Sequence, residues 1–135
     1  MTRKASLVAL LIILLLIPGC LDQNTRSGSP AELLRGHWKV TAFGETAHDV
    51  YIGKDKLRVV SGGTTTLGTY DVASESRRDR SVVVDVRIQT GDIHGTWYFS
   101  SDGRIAQLEA VQEKGDFLFS TTKVKWYADA VWIED

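Results

Sequence analysis

The chain has 135 residues, of which 24% are charged and 43% are hydrophobic, and its formal net charge is −1. This balance gives no indication of a nucleic-acid partner, because such proteins present a strongly basic face. Cys20 is the only cysteine, which excludes an intramolecular disulfide and any zinc site built from cysteines. We therefore expect packing alone to hold the folded part together.

The N-terminus has the anatomy of a secretory signal. Arg3 and Lys4 precede an unbroken apolar run over residues 7–17. The run is too short to span a bilayer as a helix, which takes about 20 apolar residues. Pro18 and Gly19 then disfavour helix where a peptidase needs extended backbone. These features predict that residues 1–19 are a signal peptide.

The sequence Ile17-Pro18-Gly19-Cys20 resembles the lipobox of bacterial lipoproteins. The resemblance implies that Cys20 is linked through a thioether to diacylglycerol and that the new N-terminus carries a further fatty acid such as palmitate. Each buried methylene contributes about 0.8 kcal/mol, so two or three acyl chains anchor a domain where one chain does not. The alternatives are an ordinary signal peptide that happens to end near a cysteine, or an uncleaved N-terminal anchor.

The residue after the cysteine bears on localisation. An aspartate at this position is the usual cue for retention in the inner membrane of enteric bacteria, and this chain has Leu21 instead. We therefore expect a location in the cell envelope, on the outer rather than the inner membrane where the cell has both.

Removal of residues 1–19 leaves 116 of the 135 residues, enough for one domain. Two of the 16 Lys and Arg residues lie in the signal, so the remaining chain has 14 against 17 Asp and Glu, a net charge of −3. Residues 22–28 are small, polar and without periodicity, which is typical of a flexible tether. We assign residues 20–29 to the lipidated cysteine and its tether, and residues 30–135 to the folded domain, which should lie close to the bilayer.

A short helix is predicted at the start of the domain. Ser29-Pro30-Ala31-Glu32 has the form of a capping box with proline in the first helical position. Gly36 occupies the position expected just after the helix. We predict a helix over residues 30–35, and because it is too short to be stable alone, its two leucines must dock on the rest of the domain.

The remainder of the domain shows the alternation of apolar and polar residues that is typical of strands. Eight strands are predicted, over residues 37–42, 48–52, 57–60, 64–72, 82–89, 93–100, 105–111 and 117–127. Residues 75–80 are expected to form a charged loop, and the tail over residues 128–135 is either a closing strand or a short helix.

Tight turns join antiparallel neighbours, and closure of such a meander removes its exposed edges. The predicted fold is therefore all-β: an eight-stranded antiparallel up-and-down barrel with a short N-terminal helix. A two-layer β-sandwich is the alternative.

The stretch Gly36-His37-Trp38 after the predicted helix resembles the opening of lipocalin-like domains, in which Gly-x-Trp lies on the first strand. The resemblance implies that Trp38 packs across one end of the barrel and that Leu33 and Leu34 of the helix plug that end. Residues 68–71 and 95–103 are similar to strands of short bacterial envelope domains of this type. The chain departs from true lipocalins by being shorter and by lacking their Thr-Asp-Tyr motif, which affects the expected cavity more than the barrel.

Large aromatic residues are the candidates for ligand binding. By alternation Trp38, Trp97 and Trp126 point inward, with Phe99 beside them. Each buries about 150–250 Å², and eight strands leave an interior just wide enough for side chains or one small ligand. These residues are therefore either core or a stacking site for a small apolar or sugar-like ligand.

The sequence contains no pattern of catalytic or metal-binding residues. His37, His48 and His94 are the only histidines, and no two have the spacing of metal ligands. His37 and His94 are predicted to point outward. His48 and Asp49 are adjacent in a strand and so face opposite sides of it. We expect no catalytic residues, no metal and no cofactor.

Three functions follow as hypotheses. The first is a lipid-anchored, non-catalytic, lipocalin-like barrel that binds an envelope protein or a small apolar ligand. The second is an anchored inhibitor of an exported hydrolase, although the short lipocalin-like inhibitors that it resembles carry a disulfide that this chain cannot form. The third is a hydrolase or isomerase built in the barrel mouth. Residues 77–80, Arg-Arg-Asp-Arg, are either a solvated loop or a contact for anionic lipid.

Overall fold

The structure, a computed structural model, describes residues 25–42, 46–89, 91–115 and 121–134. A short helix, α1 (Pro30–Leu34), precedes eight strands. These are β1 (Gly36–Ala42), β2 (His48–Ile52), β3 (Lys56–Ser61), β4 (Thr64–Ser76), β5 (Ser81–Ile88), β6 (Gly91–Phe99), β7 (Ile105–Gly115) and β8 (Thr121–Ile133). The strands pair antiparallel in chain order and β8 returns to β1, which closes the barrel. The predicted up-and-down barrel is confirmed, and the two-layer sandwich is excluded.

The tail of the chain forms the strand that closes the barrel. β8 runs to Ile133, and its second half pairs with β1 from His37 opposite Ile133 to Ala42 opposite Ala128. Of the two possibilities left open for residues 128–135, the closing strand is the one observed for the described part. Residues 117–120 of the predicted last strand lie outside the described residues.

The connection between β4 and β5 is shorter than the charged composition of residues 75–80 predicts. β4 continues to Ser76, which pairs with Ser81, so only residues 77–80 form the turn. A bulge between Val72 and Ser74 shifts the register within this ladder. β3 begins opposite Thr69, so the β4–β5 hairpin extends well beyond it. Backbone pairing with β5 outweighs the polar composition because main-chain hydrogen bonds do not depend on side-chain type.

The helix begins as the capping box predicts. The backbone N–H of Glu32 donates to Ser29 Oγ at 3.3 Å, and the Ser29 hydroxyl donates to Glu32 Oε1 at 3.2 Å. The helix ends at Leu34, one residue before the predicted end, and Gly36 follows with φ of +124°. A Cβ atom at Gly36 would lie 2.8 Å from Nε1 of Trp132, so the glycine permits close contact as well as an unusual backbone angle.

One end of the barrel, here called the closed end, carries α1 and the β2–β3, β4–β5 and β6–β7 turns. Leu33, Leu34 and Trp38 are almost fully buried there. The indole N–H of Trp38 donates to the carbonyl oxygen of Leu34 at 2.8 Å, which links the end of the helix to the first strand. The plugging role that the resemblance implies for these three residues is therefore the observed arrangement.

The opposite end of the barrel, here called the mouth, is bordered by the strand ends that lead into the other four connections. Between the two ends, inward residues form rows across the sheet. One row consists of Val82, Trp97, Leu108 and Ala128, and the row nearer the mouth consists of Val84, Gly95, Ala110 and Trp126. Large residues in one row are complemented by small residues in the next, which is how a narrow barrel is filled.

Within the described residues, no helix is both long enough and apolar enough to cross a bilayer.

Candidate functional site

A cavity of about 120 Å³ lies inside the barrel, between the helix plug and the mouth. Its walls are almost entirely aliphatic or aromatic. The lining residues are Leu34, Val40, Val50, Ile52, Leu57, Val59, Tyr70, Val84, Val86, Ile93, Gly95, Trp97, Leu108, Ala110 and Trp126. Every strand of the barrel contributes to this lining, so the cavity belongs to the barrel lumen.

The polar atoms in the cavity wall are few. The Tyr70 hydroxyl donates a hydrogen bond to the carbonyl oxygen of Gly53, in the β2–β3 turn. Burial raises the pKa of this hydroxyl above its ordinary value, although its hydrogen bond with Arg35 acts in the opposite direction. Because the hydroxyl already has a protein partner, a guest in the lumen gains little from carrying polar groups.

The four aromatic residues predicted to point inward divide into two groups. Trp38, Trp97 and Phe99 form one cluster, with ring centroids 5.3 Å apart for Trp38 and Trp97 and 5.9 Å apart for Trp38 and Phe99. Trp97 also lines the cavity, whereas Trp38 and Phe99 lie nearer the closed end and are not among the lining residues. Trp126 is half-buried and lines the cavity from β8. Trp97 and Trp126 are therefore the two of the four placed to contact a ligand.

Two small residues lie side by side in the cavity wall and contribute to its open space. Gly95 of β6 pairs with Ala110 of β7, and a Cβ atom at Gly95 would lie 3.6 Å from Cβ of Ala110, an ordinary van der Waals distance. Gly95 lines the lumen, so a larger side chain there would project into the empty space without a backbone clash.

The described ionisable side chains that pair do so on the outer wall. His94 Nδ1 lies 2.6 Å from Asp85 Oδ1, and Lys125 Nζ lies 2.9 Å from Glu109 Oε1. The hydrogen bond with Asp85 raises the pKa of His94 above its ordinary value, and the carboxylate's charge acts in the same direction. His94 is exposed, as predicted, so this pair is a surface feature.

His37 is more enclosed than the predicted outward position suggests. Its side chain is 10% exposed, because its Nε2 lies 2.8 Å from Asp49 Oδ1 and its ring stacks on Tyr51 at 4.2 Å. Asp49 thus contacts the histidine across the strand pair and not its chain neighbour His48. In the part of the chain that the structure describes, three or more His, Cys, Asp or Glu residues nowhere come together in a way that could hold a metal ion.

Arg26 is a residue whose role the sequence did not indicate. Its backbone N–H donates to the carbonyl oxygen of Asp102 at 2.8 Å, and its guanidinium donates to the carbonyl oxygens of Gly103 at 2.9 Å and Arg35 at 3.2 Å. The guanidinium carbon also lies 4.3 Å from the ring centroid of Trp132. Burial lowers the pKa of Arg26 from its ordinary value, and the charge of Arg104 adds to this effect.

These contacts fix the N-terminal segment to the closed end of the barrel. Residues 20–29 were expected to be a tether, but from Arg26 onward the backbone and side chain are bound to the β6–β7 turn. A single arginine within a polar run has no sequence pattern that predicts such docking. The predicted signal peptide over residues 1–19, the predicted lipidation site Cys20 and residues 21–24 lie outside the described residues.

Comparison of the chain with protein-family models, with curated proteins and with solved structures finds no match in any of the three. Functional inference therefore depends on the cavity, on the closed end and on the N-terminal sequence.

Proposed function

We propose that this chain is a lipid-anchored lipoprotein of the cell envelope, whose barrel binds a small apolar ligand in its lumen and performs no catalysis. The observation that carries the ligand-binding part is the apolar cavity of about 120 Å³ between the helix plug and the mouth. The sequence Ile17-Pro18-Gly19-Cys20 supports the anchor.

The size and lining of the cavity define the class of ligand. An apolar cavity of about 150 Å³ stays dry and accepts a molecule as large as benzene. This cavity is slightly smaller and similarly apolar, so it suits a small hydrocarbon-like molecule or the terminal part of an acyl chain. A sugar is disfavoured, because burial of its hydroxyl groups without hydrogen-bond partners costs several kcal/mol.

The positions of the charged groups support a binding role. An enzyme site brings ionisable groups together in a cleft with its substrate. The ionisable pairs described here, such as His94 with Asp85, lie on the outer wall, whereas the cavity wall contains no carboxylate, amine or imidazole among the residues that line it.

The test of ligand binding uses the chain from residue 20 with Cys20→Ser and benzene or a short-chain alkane as the probe. Because Trp97 and Trp126 line the cavity, binding should change the tryptophan fluorescence and raise the melting temperature. The variant Gly95→Val places methyl groups in the cavity and should abolish both effects while remaining folded. Thr69→Val, on the exposed outer wall, is the matched control and should bind like the parent chain. Equal binding by the Gly95→Val chain would place the ligand outside the lumen.

The test of the anchor uses the intact chain expressed in a bacterium that processes lipoproteins. We expect the purified protein to begin at Cys20 and to carry the mass of a diacylglyceryl group with an additional acyl chain. Cys20→Ala should remain unlabelled by radioactive palmitate and unprocessed. Labelling of that variant would remove the proposed anchor but would leave the proposed lumen ligand in place. The hydrolase-inhibitor hypothesis stays a prediction.

A further inference from the structure

We propose that the closed end of the barrel lies against the membrane surface and that the mouth opens away from it. This inference rests on the proposed lipid anchor at Cys20. It assigns a membrane-facing surface to the domain, made of the N-terminal segment at Arg26, the β2–β3 turn and the β4–β5 turn, and its partner is the anionic surface of the bilayer that holds the anchor.

The length of chain between the anchor and the barrel limits the orientation. Arg26 is fixed to the β6–β7 turn by its backbone and side chain, and Cys20 lies six residues before it. A fully extended chain of six residues spans at most about 22 Å. The anchored sulfur therefore lies within about 22 Å of the closed end.

The mouth-side end of β8 lies farther away than this reach. β8 has 13 residues and runs from the mouth to the closed end. At about 3.3 Å per residue and a tilt of about 40°, it extends about 30 Å along the barrel axis. The tether cannot bring Cys20 level with the mouth-side end of β8, so an orientation in which this end of β8 rests on the membrane is excluded. The tether permits two orientations: the closed end faces the membrane, or the barrel lies with its side on the membrane.

The side chains at the closed end favour the first of these. Arg77 and Arg78 lie at the tip of the β4–β5 hairpin, which projects beyond β3, and both are exposed. Neither guanidinium forms an ion pair with a carboxylate in the described parts of the chain. Arg80 donates to the carbonyl oxygens of Ser100 and Ser101, at 3.1 Å and 2.8 Å, which holds this turn against the β6–β7 turn that binds Arg26.

Two lysines extend this basic surface. Lys54 is exposed in the adjacent β2–β3 turn, and Lys56 is exposed at the start of β3. Asp55 and Asp79 lie in the same two turns, so the net attraction to anionic lipid is modest. The acyl chains would therefore provide the affinity for the membrane, and the arginines and lysines would provide the orientation.

This orientation determines how a ligand reaches the lumen. The helix plug separates the cavity from the solvent at the closed end, because Leu33 and Leu34 are buried there. An apolar ligand would thus enter from the aqueous side, delivered by or passed to a partner there, and would not move directly between the lumen and the adjacent bilayer.

The test is an acetylation footprint of the lysines in the intact, membrane-purified protein. The protein is reconstituted into vesicles of phosphatidylethanolamine and phosphatidylglycerol. The acetylation rate of each lysine in the vesicles is compared by mass spectrometry with its rate in zwitterionic detergent micelles. We expect slower acetylation of Lys54 and Lys56 in the vesicles and unchanged rates for Lys123 and Lys125, which are exposed near the mouth. Slowing of Lys123 and Lys125, or equal rates for all four lysines in the two settings, would overturn the proposal.

A variant tests the contribution of the arginines. Arg77→Gln with Arg78→Gln should reduce the protection of Lys54 and Lys56, because each arginine removed lowers the equilibrium ratio of docked to undocked protein by about fivefold. Arg87→Gln, on the exposed outer wall of β5, is the matched control and should leave the protection unchanged. If Lys54 and Lys56 are equally protected in the parent protein, the double variant and the control, the arginines do not orient the domain.

Failure of the anchor is recognised separately. If the purified chain carries a free thiol at Cys20, its mass shows this directly, and the proposed lipidation is wrong. The thiol is then coupled to a maleimide lipid in the same vesicles, which restores the same tether length. The lysine footprint of that coupled protein decides the orientation in the same way, with the same two results for and against.

Discussion

Replacement of Arg26 by alanine should destabilise the barrel, although this residue lies four positions before the first helix. The substitution removes the guanidinium that bonds to the carbonyl oxygens of Gly103 and Arg35 and covers the rings of Trp132 and Trp38. Removal of these contacts would release the N-terminal segment and expose the indole surfaces to water.

The magnitude follows from the separate contacts. A hydrogen bond from a charged group contributes about 1.5–3 kcal/mol when buried, and here the bond to Gly103 is half-buried whereas the bond to Arg35 is exposed and contributes little. A cation–π contact contributes about 0.5–1 kcal/mol at an exposed site. After an allowance for the desolvation of the guanidinium, we expect a loss of about 2 kcal/mol, which corresponds to about 8 °C in melting temperature for a domain of this size.

The assay is urea unfolding of the Cys20→Ser chain from residue 20, followed by tryptophan fluorescence. Arg78→Ala is the control, because Arg78 is exposed and a surface substitution of this kind changes stability by less than about 0.5 kcal/mol. Arg26→Lys retains the positive charge but not the planar guanidinium with its several N–H donors, so it should lose most of the stabilisation. A free energy of unfolding for Arg26→Ala within about 0.5 kcal/mol of the parent would refute the docked role of this residue.

Three further outcomes are expected. Gly36→Ala should cost about 2–3 kcal/mol in urea unfolding, because φ is +124° and the new Cβ would lie 2.8 Å from Trp132 Nε1, whereas Gly53→Ala, with its nearest atom at 3.5 Å, should be close to neutral. Trp38→Phe should cost about 2 kcal/mol, because it removes the buried hydrogen bond to Leu34 and leaves a void. An NMR titration should give His94 a pKa above about 6.5 that falls in Asp85→Asn. While Asp85 is ionised, the stabilisation from this pair is present below the unfolded-state pKa of His94 and is lost as pH rises through the raised pKa. A stability that increases with pH over that range because of this group would contradict the pairing.

The barrel was predictable because its two determinants are local. Apolar residues alternate along each strand, as in β5, where Val82 and Val84 are buried and Arg87 is exposed. The connections are short, which requires antiparallel neighbours. The capping box at Ser29 and the Gly-Gly turn after β3, where both glycines have positive φ, are likewise properties of a few adjacent residues.

The identity of the closing strand and the docking of Arg26 were not predictable in the same way. The pattern of apolar and polar residues over 128–133 fits a strand no better than a short amphipathic helix. These residues form a strand because they pair with β1. Arg26 is held by carbonyl oxygens of residues 103 and 35 and by the ring of Trp132. These partners come together only when β1, β7 and β8 are assembled, so a pattern within the sequence cannot indicate them.

The cavity has the same non-local origin, and this separates the two proposals. Glycine at position 95 and alanine at position 110 are unremarkable in the sequence, and the void forms because the β6–β7 register places one beside the other. A shift of two residues in that register would place Trp97 opposite Ala110 and close the space. Arg26 and the basic turns belong to the opposite side of the helix plug, where Leu34 separates them from the lumen. A substitution that fills the cavity should therefore leave the orientation on the membrane unchanged, and a substitution at Arg77 and Arg78 should leave the affinity for the lumen ligand unchanged.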